Sequence, residues 1–129
     1  MILLILSKDP NDAHELVKNL ELNKPLILDE TNINEGSTVR KESIDYRQVT
    51  VTRAAALATS YKFSNDLVII LDMRCWDAVE KIPHDLSVLI YDGSMKRNLF
   101  YNISYSTDFA IQNTNDLSEI KSELNKALM

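Results

Sequence analysis

Three aspartates close three of the most apolar stretches of this 129-residue chain. Asp29 ends Pro25–Asp29 (PLILD), Asp72 ends Leu67–Asp72 (LVIILD) and Asp92 ends Leu86–Asp92 (LSVLIYD). Lys8 and Asp9 follow the opening run Met1–Leu6 (MILLIL), Arg74 follows Asp72 by two residues, and Gly93 and Ser94 come directly after Asp92. Continuous apolar runs of this length suit strands covered on both faces. In an open parallel sheet, ligands bind outside the carboxyl ends of the strands. If these runs are parallel neighbours, Lys8, Asp9, Asp29, Asp72, Arg74, Asp92, Gly93 and Ser94 share one edge. Hard cations take carboxylate oxygens at about 2.0–2.6 Å, so such an edge could hold Mg²⁺ and, with it, a phosphate. The same aspartates also suit turns, where their side chains bond the local backbone. A metal site requires Asp29, Asp72 and Asp92 to lie within about 10 Å of one another.

Other chemistries find less footing. Gly36 and Gly93 are the only glycines, whereas average usage near 7% would supply roughly nine. The chain therefore lacks both G-x-G-x-x-G and G-x-x-x-x-G-K-[ST], the loops whose bare backbone approaches a phosphate. His14, His84 and Cys75 are scattered without zinc-type spacing, and no nucleophilic triad is assembled with any specificity. Cys75 stands beside Arg74, which could lower its pKa, but a lone cysteine also serves as a small buried filler.

A second group of residues suits recognition rather than catalysis. Arg40, Lys41 and Arg47, with Arg53 beyond them, form the chain's only basic concentration, interleaved with Glu35, Glu42 and Asp45. They fall in residues 30–47, a polar stretch without a clean period, expected as an irregular, mobile loop. Connections of this length are often functional, and this one could recognise a phosphate or an acidic partner surface. Leu99–Tyr105 (LFYNISY) alternates, putting Tyr101 and Tyr105 on one face of an expected edge strand. Tyrosines there suit a protein interface.

The elements that must position these residues follow from periodicity. Asp9 is an expected N-cap with Pro10 at the first helical position, and Ala13, Leu16, Val17 and Leu20 recur at helical spacing. Gln48–Thr52 could begin a strand or lead into a helix. Ala54–Tyr61 is alanine-rich and helical, with side chains small enough to lie close on a sheet. Trp76–Lys81 allows a turn and a half of helix before Pro83. Asp116 and Glu119 have capping-box spacing ahead of the face Leu117, Ile120, Leu124 and Leu128. The alternation predicts one domain, a three-layer α/β/α Rossmann-like or flavodoxin-like fold with a mainly parallel sheet of about five strands.

Two short resemblances bear on the strand ends. Leu67–Asp72 resembles a Walker B strand, whose aspartate in P-loop proteins helps hold Mg²⁺; the matching position after the first strand reads Ser7–Asp12 without a glycine. The chain also resembles response-regulator receiver domains in length, in Asp66–Val68 leading to Asp72 and Met73, and in its closing Asn115–Leu128 helix. That resemblance would make Asp72 a phosphoacceptor. The acidic pair expected after the first strand is Ser7-Lys8, the lysine expected after the fifth strand is missing, and the interval between the third and fourth strands is short for a full helix.

The chain is 45% apolar and 26% charged, which suits a globular protein. A net charge of −5 disfavours nucleic acid and anionic membranes as partners. Met1–Leu6 is too short for a membrane span or secretory core, and a single cysteine suits a reducing, cytoplasmic setting. The expected function is a non-catalytic binding or regulatory module that needs no cofactor and meets another protein or a second copy of itself. The alternative is a small phosphate- or nucleotide-handling enzyme that uses Mg²⁺, or a degenerate P-loop-like or receiver-like domain, with the carboxylate cluster at the strand carboxyl ends.

Overall fold

The computed structural model describes residues 1–7, 9–43, 45–70, 78–91, 106–112 and 117–128. Its centre is β1 (Ile2–Ser7), buried along its whole length. A strand apolar from Ile2 to Leu6 has no solvent face, so it must be flanked on both edges and covered on both sides. β3 (Val68–Ile70) and β4 (Leu86–Ile90) provide the edges, with Leu4 opposite Ile70 and Ser7 opposite Ile90. β2 (Leu26–Leu28) adds outside β3, and β5 (Phe109–Ile111) outside β4. The order is β2-β3-β1-β4-β5, and every pairing is parallel.

Helices cover both faces, as expected. α1 (Pro10–Leu20) and α5 (Ser118–Leu128) pack on the face carrying Leu3 and Ile5, through Ala13, Leu16, Leu20, Ile120 and Leu124. α2 (Glu30–Ile33) and α3 (Tyr46–Tyr61) lie on the face carrying Ile2, Leu4 and Leu6, through Ile33, Val51, Ala54 and Ala58. Ile82, just after α4 (Ala78–Lys81), joins this second cluster. Each fully buried leucine or isoleucine stabilises the fold by about 1.5–3 kcal/mol. The layering is the doubly wound one, though with β3 and β4 beside β1 instead of the neighbours found in the 3-2-1-4-5-6 and 2-1-3-4-5 orders.

Local chemistry explains the elements. Asp9 caps α1, its Oδ1 accepting from the Asn11 N–H at 3.0 Å, with Pro10 opening the helix. Gln48–Thr52, open between strand and helix in the sequence, belongs to α3. Threonine is stiff at Cβ and a middling helix former, but Thr50, Thr52 and Thr59 each donate a hydroxyl to the carbonyl four residues earlier. Ala54 and Ala58 then bring the helix against the sheet without intervening bulk.

Two carboxylates tie the amino-terminal edge of the sheet. Asp85 Oδ2 accepts from the Ile2 N–H at 2.8 Å. Asp108 Oδ2 accepts from the N–H and hydroxyl of the buried Ser87, while the Asp108 N–H donates to Ser87 Oγ at 3.0 Å. This exchange fixes β5 to β4. The sequence did not mark β5, which has only three residues; the expected strand Leu99–Tyr105 lies outside the described residues.

Candidate functional site

The strands are parallel and α3 runs back against them, so its first turn lies at the carboxyl edge of the sheet. Residues 30–47 are expected from the sequence to form one irregular loop. The structure makes the beginning helical and ties the remainder down. Asp29 Oδ1 accepts from the Asn32 N–H at 2.9 Å, and the Asp29 N–H donates to Asn32 Oδ1 at 2.8 Å, a reciprocal capping box that starts α2. The three-residue Asp29–Asn32 spacing is the sequence signal that was missed.

Asn34 is the hub of the next layer. Its amide Nδ2 lies within donating distance of the Glu30 carbonyl at 2.9 Å, Thr50 Oγ1 at 3.0 Å and Tyr46 Oη at 3.2 Å. Tyr46 Oη donates to Glu30 Oε1 at 2.6 Å, and Lys41 Nζ stands 3.8 Å from the same carboxylate oxygen. Arg53 reaches back from α3, its Nε donating to the Ile33 carbonyl at 2.7 Å and its Nη2 to the Glu35 carbonyl at 2.8 Å. A guanidinium presents a rigid fork of donors, so one side chain holds two successive turns. Gly36 completes the rim in the left-handed region, at φ 77°.

The rim fastened in this way is exposed from Thr38 to Asp45 apart from the half-buried Val39, among the described residues. Val39, Arg40, Glu42, Ser43, Asp45 and Val49 line an open recess of about 780 Å³. Of the interface candidates, Arg40 and Arg47 are exposed and have no ion-pair partner among the described residues, whereas Lys41 pairs with Glu30. Arg53, part of the same basic concentration, fastens the rim instead of presenting its charge outward.

The strand-end candidates divide differently. Asp9 and Asp29 each cap the helix that follows their strand, giving one carboxylate oxygen to its first turn. Lys8, Asp72, Arg74, Asp92, Gly93 and Ser94 lie outside the described residues, as do the interface candidates Tyr101 and Tyr105 and the lone Cys75. Of Asp29, Asp72 and Asp92, only Asp29 is among the described residues. Among the described residues, no three His, Cys, Asp or Glu side chains gather closely enough to hold a metal ion. His84 Nδ1 is 2.7 Å from the Ile82 carbonyl, and His14 is exposed on α1. Among the described residues, no helix is long and apolar enough to cross a membrane.

Comparison with family models, with curated proteins and with solved structures finds no match.

Proposed function

We propose that the chain is a binding module that docks a partner protein on the rim between α2 and α3. The observation that carries this reading is the fastened rim: Arg53, Asn34 and Tyr46 hold its two ends, leaving Arg40 exposed in the lining of the Val39–Val49 recess and Arg47 exposed in the first turn of α3. A segment held before contact loses less freedom on binding, which favours affinity. Exposed arginines beside Val39 and Val49 suit a partner segment with acidic residues flanking an apolar side chain, while Glu42 and Asp45 in the same lining favour neutral or basic positions elsewhere on it.

The test is affinity capture with the full chain and with an Arg40→Glu, Arg47→Glu variant whose circular dichroism matches the parent. A protein, or a second copy of the chain, retained by the parent and lost by the variant supports the proposal. A parent that retains nothing and shows no self-association on sedimentation overturns it.

A second reading draws on the topology. β3, the Walker B-like strand, lies directly beside β1, and the connections leaving these two strands cover opposite faces, the arrangement that opens a ligand crevice at strand carboxyl ends. A small phosphate- or nucleotide-handling enzyme using Mg²⁺ there predicts a thermal shift of several degrees with a nucleotide and Mg²⁺ that vanishes in Asp72→Asn. No shift with any nucleotide, sugar phosphate or metal removes this reading.

A further inference from the structure

No further inference is drawn: the strongest candidate, the exposed aromatic pair Tyr61 and Phe63 at the turn between α3 and β3, is an unpartnered apolar patch, and nothing in the structure shows what covers it.

Discussion

Replacing Asn34 with alanine tests whether the rim is held by its polar hub. The amide has two hydrogens and three acceptors within range, so the substitution removes about two donated bonds. Each contributes about 0.5–1.5 kcal/mol net, and Asn34 is only half-buried, so water replaces part of the loss. A cost of about 1.5 kcal/mol is expected, which is roughly tenfold in the population of the detached rim. Arg40 and Lys41 supply the readout, because trypsin cleaves after both and needs the surrounding backbone to open. When opening and reclosing are fast, the cleavage rate follows the open population. Native-state cleavage at Arg40 and Lys41 should therefore rise about tenfold in Asn34→Ala, by the same conversion, while cleavage in α1 and α5 changes no more than the urea midpoint requires. Cleavage at the rim within twofold of the parent would refute the hub. So would an equal acceleration everywhere, since the effect would then be global unfolding.

Asp108→Ala removes the two bonds its carboxylate accepts from buried Ser87 while keeping the backbone N–H donation to Ser87 Oγ, and should cost about 2 kcal/mol in urea unfolding; a double-mutant cycle with Ser87→Ala should show coupling, and a coupling of zero counts against the β4–β5 tie. Gly36→Ala should cost about 1 kcal/mol through its positive φ alone, since an added Cβ would meet nothing within 4 Å, so Gly36→Asn should recover part of the loss in the same assay. Glu21 ends α1 in the left-handed region at φ 52°, and Glu21→Gly should raise stability by about 0.5–1 kcal/mol, with a lowered melting temperature contradicting that account.

Much of the fold was legible because its core residues carry a single instruction. The runs containing β1, β3 and β4 can sit only in the middle of a covered sheet, and the Ala13, Leu16, Leu20 stripe of α1 has only one apolar side. The candidate site was harder to read. The fasteners Asn34, Tyr46 and Arg53 are polar residues up to nineteen positions apart, and their roles depend on where α3 passes α2, which no local period encodes. Arg53 illustrates the difficulty: in sequence it belongs with Arg40 and Arg47, yet its guanidinium is taken up by two backbone carbonyls. Asp9 and Asp29 illustrate another, because a carboxylate at a strand end can be a ligand or a helix cap, and only the bond it makes distinguishes the two.

The position of β1 at the middle of the sheet has a consequence during synthesis. Its neighbours begin at Val68 and Leu86, so about 60 residues separate the end of β1 from the first of them. At about 5–20 residues per second, that interval lasts roughly 3–12 s. Throughout it, an uncharged run of leucines and isoleucines has neither of its native hydrogen-bonding edges available, which is the condition under which strands pair with the wrong chain. The flanking Lys8 and Asp9 then act as gatekeepers, placing charge beside the run before any neighbour exists to cover it.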